Sequence, residues 1–162
     1  MYGYQGKVLR IDLSKGVSKV EDLNLDEAKK FIGGRGLGTK LFVDEVSPSV
    51  DALSPENKIL FATGPLTGTP TPTGGRYMVV TKSPLTGTIA SSNSGGYWGA
   101  ELKFSGYDVI IVEGRSEKPV YVMIEDDQVE IRDAAHVWGK VVSETTETLL
   151  KEVPEKSRVL TI

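Results

Sequence analysis

The chain has 162 residues, 39% hydrophobic and 25% charged, with 18 glycines, one histidine and no cysteine. That length and balance predict one folded domain burying roughly 70% of the surface its unfolded chain exposes, and they exclude disorder. Without cysteine there is no disulfide, thiolate metal site or iron–sulfur ligation, and His136 alone cannot make a multi-histidine metal site; a net charge of −3 with scattered basic residues gives no nucleic-acid footprint. No apolar run approaches the ~20 residues of a membrane span, and Met1-Tyr2-Gly3-Tyr4 lacks a signal-peptide core, so a soluble, cytoplasmic domain is expected.

Leu9, Ile11 and Leu13 alternate with Arg10 and Asp12, and Ser14-Lys15-Gly16 turns the chain back through Val17 to Val20, which predicts a hairpin. Asn24 reads as a helix N-cap with Glu27 closing a capping box, and the helix carries Ala28, Phe31 and Ile32 to a stop at Gly33-Gly34. A second helix is predicted from Leu37 to Val46, ended by Ser47-Pro48. After Ser54-Pro55-Glu56-Asn57 the apolar run Ile59 to Ala62 predicts a strand covered on both faces. Further strands follow at Arg76 to Thr81, Thr88 to Ser92, Val109 to Val112, Val120 to Ile124 and Val129 to Arg132, the last two joined by Glu125-Asp126-Asp127.

A short helix is predicted to begin at Ser94-Gly95-Gly96, a second is capped by Ser143 and runs from Glu144 to Val153, and Arg158 to Ile162 reads as a final strand. The pentapeptide Pro65-Leu66-Thr67-Gly68-Thr69 recurs as Pro84-Leu85-Thr86-Gly87-Thr88, which predicts two similar corners in one sheet. Eight or nine strands with about four short helices make an α+β domain, β-rich, with a mostly antiparallel or mixed sheet.

Glycine marks the candidate sites. Gly33-Gly34-Arg35-Gly36-Leu37-Gly38 follows a helix and does not match G-x-G-x-x-G, so it reads as a helix–helix corner before an anion-contacting loop. In Thr71-Pro72-Thr73-Gly74-Gly75-Arg76, exposed N–H groups, two hydroxyls and a guanidinium suit a phosphate or carboxylate, and a surface loop with Arg76 paired to a carboxylate is the alternative. Ser91-Ser92-Asn93-Ser94-Gly95-Gly96 before a helix suits an anion, or else Asn93 or Ser94 is only an N-cap. An antiparallel hairpin would put these two loops at opposite ends unless the Ser83–Gly87 turn crosses between sheets. His136 reads as structural, Tyr97 and Trp98 as core, and Glu101, Glu113 and Glu125 as isolated carboxylates, so no catalytic residue is identified.

Those words carry a resemblance. With Met1-Tyr2-Gly3, Leu53-Ser54-Pro55-Glu56-Asn57-Lys58, Lys82-Ser83-Pro84-Leu85-Thr86-Gly87, Gly106-Tyr107-Asp108, Val112-Glu113-Gly114 and Trp138-Gly139-Lys140 in order, the whole chain resembles the N-terminal domain of the tungsten-containing aldehyde:ferredoxin oxidoreductases. The resemblance implies that residues 1–162 form the base of a tungsten bis-pterin (molybdopterin-type) cofactor site. Gly75 and Arg76 would meet a pterin phosphate, and Asn93, Ser94, Gly95 and Gly96 the second phosphate position. The Asn93 backbone carbonyl would help hold a magnesium ion bridging the pterins. The parent enzyme would oxidise an aldehyde to its carboxylic acid and pass electrons to ferredoxin. Its [4Fe–4S] cluster and the remaining domains would come from elsewhere, so this chain is expected to be inactive alone, and a homo-oligomer is compatible. The alternative is a stand-alone, non-catalytic pterin- or phosphate-binding module that docks on a partner.

Overall fold

The computed structural model describes residues 3–162, so the Met1-Tyr2 part of the resemblance lies outside the described residues. Eight strands and four helices follow in the order β1 (Lys7–Asp12), β2 (Val17–Asp22), α1 (Leu25–Phe31), α2 (Gly34–Glu45), β3 (Lys58–Thr63), β4 (Tyr77–Lys82), β5 (Ile89–Ser94), α3 (Trp98–Phe104), β6 (Val109–Glu113), β7 (Val120–Glu125), β8 (Gln128–Asp133) and α4 (Val142–Leu149). A six-stranded sheet runs β2-β1-β6-β3-β4-β5, and β7-β8 is a separate hairpin. The β1–β6 ladder is parallel and the others antiparallel, which makes the domain α+β with a mixed main sheet.

The strand period of two sorts the side chains between the faces. Val8, Leu60, Ala62, Val80, Val109 and Ile111 point to one face and join Leu37 and Phe42 of α2 and Ala28 of α1 in the larger core. Leu9, Ile11 and Ile110 point to the other, where Leu102 of α3 and Val122, Ile124, Val129 and Ile131 of the hairpin cover them. Both faces of β3 are therefore occupied, as its unbroken apolar run requires.

Asn24 caps α1 as expected: its Oδ1 accepts from the Asp26 and Glu27 N–H groups at 3.1 and 3.2 Å. The helix ends at Phe31, one step earlier than the glycines suggested. Ile32 takes φ 67° and ψ −58°, and the Gly33 N–H donates to the Phe31 carbonyl at 2.8 Å, a positive-φ γ-turn on a β-branched residue. The Tyr4 hydroxyl donates to the Ile32 carbonyl and closes that corner. Glycine then lets α2 pack tightly. A Cβ on Gly36 would stand 2.5 Å from the Phe31 carbonyl oxygen, and one on Gly38 3.0 Å from Val80 Cγ2 and 3.3 Å from Ala62 Cβ. The glycine cluster is thus a helix–helix corner laid against β3 and β4.

Three local expectations fail. Helix α3 starts at Trp98, and Asn93 and Ser94 are the last residues of β5. Ser143 lies inside α4, whose N-cap is Val141. Residues 158–162 form no strand; Val159 packs beside Ala134, Val137 and Leu149, and no ladder includes the segment.

Candidate functional site

The register Tyr77↔Ser94 and Met78↔Asn93 places the start of β4 beside the end of β5. The Gly75-Arg76 loop precedes one strand and the Gly95-Gly96 loop follows the other, so both lie at the open end of the hairpin. The Ser83–Gly87 turn closes its far end. The expected separation of the two loops is wrong: in an antiparallel pair, the segment entering the first strand and the one leaving the second are neighbours.

Backbone contact joins the loops. A Cβ on Gly75 would collide with the Gly96 carbonyl oxygen, and one on Gly99 would stand 2.8 Å from the Gly75 oxygen. At Gly95 and Gly96 themselves nothing lies within 4 Å of an added Cβ, and Gly96 has φ +81°. These two glycines thus face open space with bare backbone, as close approach by a ligand requires.

Arg76 Nη1 donates to Asn93 Oδ1 across the two strands. Its partner is therefore a neutral amide, and among the described residues no carboxylate pairs with it, whereas the alternative reading required one. Asn93, in turn, is not a helix cap. Thr67, from the repeated pentapeptide, holds the loop in place: its buried hydroxyl accepts from the Gly64 N–H and donates to the Arg76 carbonyl, both at 3.1 Å. Sequence reading missed Thr67, and the echo Pro65–Thr69 was its only signal.

A second overlooked signal is electrostatic. Residues 57–100 carry Lys58, Arg76 and Lys82 and no aspartate or glutamate. Lys58 and Lys82 lie at the far end of β3 and β4, where Lys58 pairs with Glu45 and Glu113, so of these three cations Arg76 alone belongs to the candidate site. Arg76 stands exposed in that acid-free region beside strand β5, an edge strand whose alternate N–H and C=O groups are free of β4.

The other singled-out residues stay apart from this site. Trp98 is core, 5.7 Å from the Phe61 ring and 4.7 Å from Tyr77, whereas Tyr97 is 72% exposed, against expectation. His136 Nε2 is 3.0 Å from Glu152 Oε1 at the surface. Glu113 is not isolated: it pairs with Arg10 at 3.2 Å and Lys58 at 2.6 Å. A depression of about 260 Å³ at that far end of the sheet is lined by Asp12, Lys15, Lys58 and Glu113, which already pair among themselves. No group of three or more His, Cys, Asp or Glu among the described residues could hold a metal ion. Nor is any helix among them long and apolar enough to cross a membrane.

Comparison with known proteins gives a consistent set of relatives. Residues 8–162 match the family described as aldehyde ferredoxin oxidoreductase, N-terminal domain. The chain is 60% identical over 163 residues to the tungsten-containing aldehyde ferredoxin oxidoreductase of Pyrococcus furiosus, covering all of this chain and 27% of that one. It is 45% identical over 161 residues to the aliphatic sulfonate oxidoreductase, WOR-like subunit, of the same organism, covering 98% of this chain and 26% of the relative. Among solved structures, the active site complex BamBC of benzoyl coenzyme A reductase, in complex with 1,5-dienoyl-CoA, matches with a TM-score of 0.91 and 44% identity over 93% of this chain and 23% of that one. The chain thus spans about a quarter of the length of these relatives.

Proposed function

The chain belongs to the aldehyde ferredoxin oxidoreductase N-terminal domain family, and from that premise we propose that its β4–β5 open end binds the phosphates of a tungsten bis-pterin cofactor. The observation that carries the reading is Arg76, held by neutral Asn93 with no carboxylate to cancel its charge, beside two glycines that face open space. A phosphate fits such a group, because a guanidinium donates two parallel hydrogen bonds and bare backbone N–H groups add more.

In this reading Arg76 neutralises one phosphate and Gly75 keeps the loops close enough for both to reach the ligand. Ser94, Gly95 and Gly96 present backbone donors to the second phosphate position. The Asn93 backbone carbonyl would help hold a magnesium ion beside the phosphates, and the Asn93 side chain accepts a hydrogen bond from the Arg76 guanidinium. When bound, the cofactor supplies the two-electron redox chemistry. This chain's residues bind, orient and neutralise, and none of them is proposed to move a proton.

The whole enzyme is proposed to oxidise an aldehyde to a carboxylic acid in the cytoplasm and to pass electrons to ferredoxin. Its iron–sulfur ligands would lie outside these residues, which contain no cysteine. The relatives' names span an aldehyde, an aliphatic sulfonate and a coenzyme A thioester. So varied a set over one shared domain supports substrate choice being made outside it. The test is tungsten and pterin analysis of the enzyme carrying this domain, alongside aldehyde-dependent ferredoxin reduction. Arg76→Ala is expected to lower metal and pterin content together; full content with normal turnover would sink the phosphate role, and phosphate binding without any tungsten, pterin or aldehyde-dependent turnover would favour the stand-alone, non-catalytic module.

A further inference from the structure

The segment after α4 carries Arg158 back over the candidate site. Its guanidinium carbon lies 5.3 Å from the centroid of the Tyr97 ring, within cation–π range. Tyr97 directly follows Gly96, and the Gly96 carbonyl abuts Gly75, next to Arg76. Two guanidinium groups from segments far apart in sequence therefore contact residues on either side of one glycine loop, Arg76 at Asn93 before it and Arg158 at Tyr97 after it.

Neither is compensated by an acid. Arg10 and Arg132 pair with carboxylates, at 2.9 and 2.6 Å, whereas Arg35 and Arg115, like Arg76 and Arg158, join no ion pair among the described residues; what sets Arg158 apart is its place on the Tyr97 ring. Among the described residues Arg158 joins no ion pair, and its one hydrogen bond goes to the Ser157 carbonyl at 3.4 Å. Glu152, a nearby acid in sequence, is 3.0 Å from His136. Ring stacking occupies the flat face of a guanidinium and leaves its N–H edge free to donate. Tyr97, 72% exposed, contributes little to the core and instead serves as the surface on which Arg158 lies.

We propose that Arg158 is a second anion-binding residue of the Arg76 site, that Tyr97 positions it, and that the pair neutralises a further anionic group on the same phosphate-bearing ligand. The inference rests on the phosphate reading of Arg76 and adds a residue from the last five of the chain. Val159, the next residue, packs beside the Ala134, Val137 and Leu149 cluster and anchors the segment that carries Arg158.

Calorimetric titration of the 162-residue chain with inorganic pyrophosphate, at low and high salt, tests it. Arg158→Ala is expected to weaken binding several-fold and flatten its salt dependence, since one fewer screened charge pair forms. Tyr97→Leu should match Arg158→Ala, while Tyr97→Phe, which keeps the ring, should bind like the parent. Arg76→Ala should lose about tenfold or more. If Arg76→Ala weakens binding and Arg158→Ala leaves both affinity and salt dependence unchanged, the Arg158 inference is wrong and the Arg76 reading stands. If Arg76→Ala has no effect, or the parent does not bind pyrophosphate, both are overturned. A loss in Tyr97→Phe as large as in Tyr97→Leu would contradict positioning by the ring.

Discussion

The charge of Arg76 is uncompensated by the side chain it reaches, because Asn93 is a neutral amide. That arrangement holds a guanidinium still without neutralising it, which suits transient or bound phosphate better than stability. Arg76→Ala is therefore expected to change the unfolding free energy by less than about 0.5 kcal/mol, the usual range for an exposed site, while phosphate binding is lost. Urea unfolding beside the pyrophosphate titration checks the contrast. Lys103 and Asp108 are the opposite case. Their side chains are 5% and 2% exposed and pair directly; Asp108 also accepts from the Gln5 and Gly6 N–H groups at 3.1 and 2.7 Å, and Lys103 donates to the Gly3 carbonyl at 2.8 Å. This knot pins the segment before β1 to the sheet. Lys103→Met strands a buried carboxylate and should cost about 3–5 kcal/mol, read as a fall in the urea midpoint. A loss under 1 kcal/mol would mean that water enters the pair.

At the scale of elements, α2 tolerates glycines at 34, 36 and 38 that would weaken a helix in isolation. Gly36→Ala should destabilise by about 1–3 kcal/mol, because a methyl 2.5 Å from the Phe31 carbonyl forces the α1–α2 corner apart, against an intrinsic helix gain of about 1 kcal/mol. Guanidinium unfolding decides it, and a stabilised variant would show that the corner yields. The elements legible in sequence were those whose period reports burial: the β1–β2 alternation, the Asn24 cap and the continuous β3 run. The end of β5 was not legible, because Ser91, Ser92, Asn93 and Ser94 are all exposed on an edge strand and leave no alternation to read. The segment from Arg158 to Ile162 failed for the converse reason. Its pattern suits a strand, but a strand needs a partner edge, and pairing is a property of the whole fold. Gly75, Arg76 and Asn93 to Gly96 were visible as residue types; their meeting depended on the Tyr77↔Ser94 register.

Across the whole molecule, ion pairing is uneven. Arg76 lies in a run, residues 57–100, that contains no acid, whereas the Lys58 side of the sheet carries a network of Arg10, Glu21, Glu45, Lys58 and Glu113 joining β1, β2, α2, β3 and β6. Hydrogen bonding from Arg10 lowers the Glu21 pKa. Burial opposes the charged form of Glu45, but hydrogen bonds from Arg10 and Lys58 outweigh it, and its pKa is also lowered. Depressed carboxylates add stability above their unfolded value of 4.5, and that stability is lost as pH falls through the lower folded values. The melting temperature should accordingly drop below about pH 4.5, and Arg10→Met should shrink that drop while lowering stability at neutral pH; thermal melts across the acid range test both. Phosphate binding at the open end of β4 and β5 is tested directly by its local signature. Amide-resolved NMR of the 162-residue chain titrated with inorganic pyrophosphate should shift Gly75, Arg76, Gly95, Gly96 and Tyr97, and Arg76→Ala should abolish those shifts with the rest of the spectrum intact. Shifts confined to other surfaces, or an unchanged response in Arg76→Ala, would contradict it.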